Sequence, residues 1–456
     1  MNETLIALIG TGQQVLKNLS DRNYKKVIYY NKDNDEAFET PFVSEAILNL
    51  FPNRFNKLIL LGTNSSMWES LYSYCIDPNE LENLTIDQND IFGKIAFAIE
   101  FANQESKLNF STKLLSYRPE LIQIIEKQIS KKFNIETICK IIPVAENEDE
   151  LWKIFEILTQ IDYGRSILSF DITHGLRYHP MYIFLALNYL TTIESNLKFG
   201  SYFYGALELS KMENNHGMAP IIEFKIFGEM LKWISAYKSF QKFKDSSELV
   251  DLLQIKDSSK FLADKLDILS TNYSFNFFKD IRLTSFDIDK EVNKLLNDQD
   301  VSVSFKLISN HLLKFPKELI DSNDNLSHIS LIITKHHIKS RNFGLAYLSL
   351  WEAILYNIQE YTKNKIRTFE INKKITEYKK AKNKDFINLL KSINSNLFRN
   401  LDKLSDIRNK IAHFDTINNY EELSELKTDL DKLINYFSDM INKGRLEIVA
   451  NFIQEN

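Results

Sequence analysis

The chain has 456 residues, 44 % of them apolar and 26 % charged, with a net charge of −5. That length asks for two or three domains with sizeable cores, and the balance is normal for a globular protein with no global basic field for nucleic acid. The two cysteines, Cys75 and Cys139, exclude a disulfide framework and a zinc cluster and fit a reducing cytosol.

MNETLIALIG lacks a basic n-region, and the longest apolar stretch, around Met181–Leu190, falls well short of the ~20 residues a membrane span needs. The expectation is a cytoplasmic protein without membrane contact. Over the first 210 residues, apolar runs at 4–10, 26–30, 57–62, 138–144, 166–173 and 198–205 read as buried strands. Helical spacing falls at 43–50, 114–132, 148–161 and 179–194. This alternation predicts βαβ units and a doubly wound, Rossmann-like sheet.

Beyond residue 220 the pattern is helical, at 222–243, 246–268, 287–296, 302–314, 342–361, 370–381, 384–409 and 420–442. The predicted organisation is an α/β domain over 1–225, an all-α connector over 226–339 and an all-α domain over 340–456.

Ligands of a doubly wound sheet bind outside the carboxyl ends of its strands. Three predicted strands end in loops of small hydrogen-bonding residues. The first carries Gly10, Thr11 and Gly12; the second Gly62, Thr63, Asn64, Ser65, Ser66 and Trp68; the third Thr173, His174, Gly175 and Arg177. Glycine admits close backbone approach, a helix N-terminus favours phosphate, and Arg177 is suited to pair with one. Trp68 is placed either to stack on a base or to pack. Val15 stands where a dinucleotide fingerprint needs its third glycine, so a nicotinamide or flavin cofactor is not expected.

The LGT of the second loop, DITHGLR at 171–177 and YFYGA at 202–206 resemble the sensor domain of CRISPR-associated Rossmann-fold (CARF) proteins. The likeness is nearest to type III accessory ribonucleases that join a CARF domain to a C-terminal HEPN domain. It covers the first ~240 residues, and DxTHGxR is its most specific part. It implies a cyclic oligoadenylate bound across a dimer interface, with Thr11, Gly12, Thr63, Asn64, Ser65, Thr173, His174, Gly175 and Arg177 at the contact. Cyclic tetra-adenylate is the favoured ring, cyclic hexa-adenylate the next. The segment at about 240–335 carries no resemblance.

RNKIAHF at 408–414 fits the R-x4-6-H signature of HEPN domains, and LAYLSLWEAIL at 345–355 resembles an early HEPN helix with an acidic residue, Glu352. The resemblance implies a catalytic Arg408 and His413. On a regular helix Asn409 and His413 lie ~40° apart, whereas Arg408 and His413 lie ~140° apart. Either the arginine curls back, or the helix ends or bulges near Ile411, or a symmetric dimer brings two copies of the pair to one cleft, with Asn409 orienting His413. The implied chemistry is metal-independent cleavage of single-stranded RNA by a homodimer or larger symmetric assembly, with DNA spared. Two alternatives stay open: a regulator whose helical domain only dimerises or contacts a partner, with Arg408 solvated and His413 at a helix end, and a CARF domain that also degrades its activator; Glu352 as a buried partner of Arg408 is compatible with either reading. The basic stretch 363–384 is either an RNA track or a solvated helix face. KHH at 335–337 reads as a surface joint.

Overall fold

The computed structural model describes residues 2–10, 26–34, 36–64, 66–76, 119–299, 301–322, 324–413 and 420–456. The chain divides into two compact units, residues 1–229 and 230–456.

The first unit is built on one eight-stranded sheet. Its strands are β1 (Asn2–Leu8), β2 (Val27–Tyr30), β3 (Ala37–Thr40), β4 (Lys57–Gly62), β5 (Glu136–Ile141), β6 (Ser166–Asp171), β7 (Leu197–Gly205) and β8 (Ala219–Phe224), in the order β3-β2-β8-β7-β6-β1-β4-β5. The five strands from β7 to β5 are all parallel, and β8 runs antiparallel to β7. Its described helices are α1 (Val43–Leu50), α2 (Trp68–Cys75), α3 (Pro119–Phe133), α4 (Glu148–Thr159) and α5 (Tyr178–Ile193).

The apolar runs are continuous because both faces are covered. Leu5, Ala7, Leu58 and Leu60 pack on one side with residues of α1, α2 and α3. Ile6, Leu8, Ile59 and Leu61 pack on the other with residues of α4 and α5. Alternate residues of one strand thus feed two cores, which is why these segments show no polar alternation.

Two strands escape the sequence pattern. Ala37–Thr40 is a short, half-exposed edge partner of β2. Ala219–Phe224 occupies a stretch whose end was expected to begin a helix; the helix starts only at Ile226. Its apolar residues, interrupted only by Glu223 and Lys225, are followed at once by those of that helix, so no change of period marks the boundary.

Four expectations fail in the second unit. The segment 246–268 is two helices, Ser247–Leu253 and Lys260–Ser274. The segment 384–409 is two helices, Lys384–Ile393 and Leu397–His413, parted where Asn394 turns extended and its Oδ1 accepts from the Asn396 amide at 2.9 Å. A helix at Leu326–Lys339 was not anticipated, although Asn325 caps it by accepting from the His328 amide at 2.8 Å. KHH is no surface joint: His337 is fully buried, its Nε2 donates to Asn276 Oδ1 at 2.9 Å and its ring stacks on Tyr273, while His336 meets Glu318 at 2.8 Å. Apolar residues of this unit form two clusters, one drawn from Trp233–Ile333 and one from Leu331–Ile453.

Candidate functional site

The strands β6, β1 and β4 lie side by side and run parallel, so their carboxyl ends meet in one crevice at the edge of the sheet. All three glycine-bearing loops leave the sheet there. Thr11, Gly12 and Ser65 lie outside the described residues.

The first two loops are stitched together. Ser66 Oγ donates to the Ile9 carbonyl at 2.8 Å and accepts from the Thr63 amide at 2.9 Å, and the Met67 amide donates to the Gly10 carbonyl at 3.1 Å. Of the two roles open to Trp68, packing is the one observed. The ring is fully buried, its Nε1 donates to the Thr63 carbonyl at 2.9 Å, and a Cβ on Gly62 would lie 2.7 Å from it. Ser66 is likewise buried. Both support the loop from within.

The third loop is organised by Asp171, a residue the sequence reading quoted within its motif but gave no role. Its Oδ1 accepts from the Thr173 amide at 2.9 Å and the Thr173 hydroxyl at 2.5 Å. The same hydroxyl accepts from the Gly205 amide at 2.8 Å, tying the end of β6 to the end of β7. Thr173 is therefore a strut. Gly175 has φ +97°, and a Cβ there would meet Leu8 Cδ1 at 2.8 Å, so only glycine fits. Arg177 is exposed at the start of α5, with no carboxylate within 4 Å among the described residues. Burial lowers the His174 imidazole to about 4, so it is neutral at pH 7. Leu8, Ile9, Gly62, Thr63, Gly175 and Leu176 frame a recess of about 40 Å³ among the described residues.

Burial raises the Asp171 carboxyl to about 6 from 3.8. The folded chain then holds this proton more tightly than the unfolded chain, so ionised Asp171 costs stability above pH 6 and the cost fades as pH falls toward 4. Asp171→Asn is expected to gain on the wild type as pH rises from 4 to 7, by at most about 3 kcal/mol. Urea unfolding of both proteins at the two pH values checks this; a constant difference would contradict it.

In the second unit, the helix Phe343–Tyr361 packs on Leu397–His413, with Gly344 against Ile411. This brings Glu352 and Arg408 together. Burial raises the Glu352 carboxyl and the Arg408 charge lowers it; burial wins. Arg408 is half-buried, and its Nη1 donates to Oδ1 of the exposed Asn409 at 3.2 Å. Asn409 is thus engaged by Arg408. The helix is continuous through Ile411 and is described as far as His413. The His413 side chain lies outside the described residues. In the basic stretch, Lys379 pairs with Asp402 at 2.7 Å and Lys374 donates to the Ile453 carbonyl at 2.9 Å, so part of that charge is used within the fold.

A doubly wound, Rossmann-like sheet that gathers DxTHGxR beside two small-residue loops at one edge is the architecture of a CARF domain. Residues 4–208 match the family described as the CARF domain of the CRISPR system endoribonuclease Csx1. Residues 229–323 match the second domain of CRISPR-associated protein MJ1674, which gives the connector the likeness the sequence reading did not find. The CRISPR-associated protein MJ1674 of Methanocaldococcus jannaschii is 26 % identical over 458 residues, covering 96 % of this chain and 66 % of that protein. The chain thus spans about two thirds of the length of that relative. No helix among the described residues is long and apolar enough to cross a membrane.

Proposed function

We propose that this protein is an accessory ribonuclease of type III CRISPR antiviral defence, switched on by a cyclic oligoadenylate. The observation that carries the reading is Arg408 set beside the half-buried Glu352, in the helical unit of a chain whose first unit is a CARF domain. The activator docks at the β1/β6 crevice. Arg177 meets its phosphates, Asp171 and Thr173 hold the loop, and the neutral His174 exchanges hydrogen bonds with it.

The recess of about 40 Å³ is far too small for a ring of four nucleotides, since drug-sized ligands already fill roughly 300–1,000 Å³. A second copy completes the site. Helix α5, which starts at the third loop, supports this. Its inner face is buried, yet Met181, Leu185, Tyr189 and Ile193 are 72 %, 60 %, 53 % and 54 % exposed at helical spacing. Met181→Glu with Leu185→Glu is expected to convert a dimer to a monomer in sedimentation velocity. A dimer unaffected by both changes would place the two-fold contact elsewhere.

RNA carries a 2′-hydroxyl beside each phosphate. The His413 imidazole takes its proton, and the imidazolium protonates the leaving 5′-oxygen. Arg408, bonded to Asn409 and within the field of the Glu352 carboxyl, stabilises charge on the phosphoryl oxygens. The products are a 2′,3′-cyclic phosphate and a 5′-hydroxyl, with no metal in the step. The hydroxyls of Ser66 and Thr173 are engaged inside the loops, which speaks against their degrading the activator. Mass spectrometry of the RNA fragments tests the chemistry: 2′,3′-cyclic phosphate ends in EDTA support it, and 5′-phosphate ends refute it.

A further inference from the structure

The second unit holds a pocket of about 510 Å³, a size suited to a small ligand, lined by the region matching the MJ1674 second domain together with His336 and Lys339. Its wall carries four lysines, Lys242, Lys244, Lys314 and Lys339, with His336 and a single carboxylate, Glu318. That carboxylate is already engaged by His336 Nε2 at 2.8 Å.

Lys244 is the anomaly. Only 5 % exposed, it follows the helix Ile226–Phe243 in the left-handed region at φ +59°, where glycine or asparagine is the usual residue. Its Nζ donates to the Gln241 carbonyl at 2.8 Å and lies 5.0 Å from the Phe315 ring centre. No carboxylate lies within 4 Å of it among the described residues, although lysines are almost never buried without a paired charge. Burial lowers its ammonium to about 8; the Glu318 charge pulls it up and Lys339 pushes it down, and burial wins. A strained backbone, a buried cation and three further lysines around one cavity form an arrangement that a bound anion would complete. At the same wall, the Tyr237 and His311 rings stand 6.2 Å apart and offer aromatic surface.

We propose that this pocket binds a small phosphorylated molecule of nucleoside-monophosphate size, its phosphoryl group seated among Lys244, Lys314 and Lys339 and its base against Tyr237 and His311. The site is separate from the sheet edge and does not depend on the nuclease reading. A phosphoryl group that meets a lysine as buried as Lys244 is better supplied by a small terminal phosphate than by a phosphate inside a passing RNA strand.

The test is calorimetric titration of the full chain with 5′-AMP, inorganic phosphate and adenosine. AMP is expected to bind more tightly than phosphate, and adenosine not at all. Lys339→Glu, an exposed change that leaves the fold alone, should weaken AMP at least tenfold, as should Lys244→Met. Binding at pH 8.5 should take up protons, because the anion restores charge to Lys244. Four results would overturn the proposal: no AMP binding at millimolar concentration, AMP binding unmoved by either lysine change, AMP binding lost on Arg177→Ala, and single-stranded RNA rather than AMP responding to the lysine changes.

Discussion

His413→Ala is expected to lower activator-dependent RNA cleavage by about 10²–10⁴-fold, the range over which a positioned acid–base group acts. Arg408→Ala is expected to lower it by about 10²–10³-fold, as for loss of one donor to a developing oxyanion. In both variants cyclic oligoadenylate binding should stay at the wild-type level, because the residues belong to the helical unit, whose fold does not contain the activator loops. Arg408→Lys restores charge without the planar fork that also engages Asn409, so it should recover only part of the rate. Single-turnover cleavage of a fluorescent RNA measures all three. Full activity in the two alanine variants would discard the assignment of these residues. It would leave the CARF assignment intact and favour the reading of a regulator that only dimerises.

The second large effect belongs to the sheet edge. Arg177→Ala is expected to raise the activator concentration for half-maximal cleavage by about 10–100-fold, the equivalent of one or two hydrogen bonds to a charged group. The rate at saturating activator should change little, since coupling between the sites acts through the fraction of chains in the active state. His174→Ala should act in the same direction with a smaller shift, because its imidazole is already neutral and contributes no ion pair. A dose–response series separates these outcomes. A loss of rate at saturation with an unchanged midpoint would move Arg177 out of the sensing role.

Much of this architecture was legible because local and global signals agree. The run TLIAL reads as a buried strand because Leu5 and Ala7 feed one core while Ile6 feeds the other. The three loops could be assigned to one edge because parallel strands fix which end of the sheet each loop leaves. What failed has equally local causes. β8 was missed because its apolar residues, interrupted only by Glu223 and Lys225, are followed at once by those of the next helix. The helix Leu326–Lys339 was missed because KHH looks polar, yet His337 finds Asn276 and Tyr273 inside the fold.

Within the site, side-chain chemistry was easier to anticipate than direction. Ser66, Trp68 and Thr173 carry suitable groups, but their hydrogen bonds turn inward and hold the loops. Asp171 appeared in the sequence motif, and only its bonds to Thr173 reveal what it does. The lysine-lined pocket was invisible at this level, since Lys244, Lys314 and Lys339 are brought together from almost a hundred residues of chain.

The most direct test of the whole account is a single incubation of purified protein with labelled single-stranded RNA in EDTA, with and without cyclic tetra-adenylate or cyclic hexa-adenylate. The account predicts cleavage only when one of the rings is present, with 2′,3′-cyclic phosphate ends and no cutting of DNA of the same sequence. Intact RNA with every ring, or equal cutting with and without them, would contradict it.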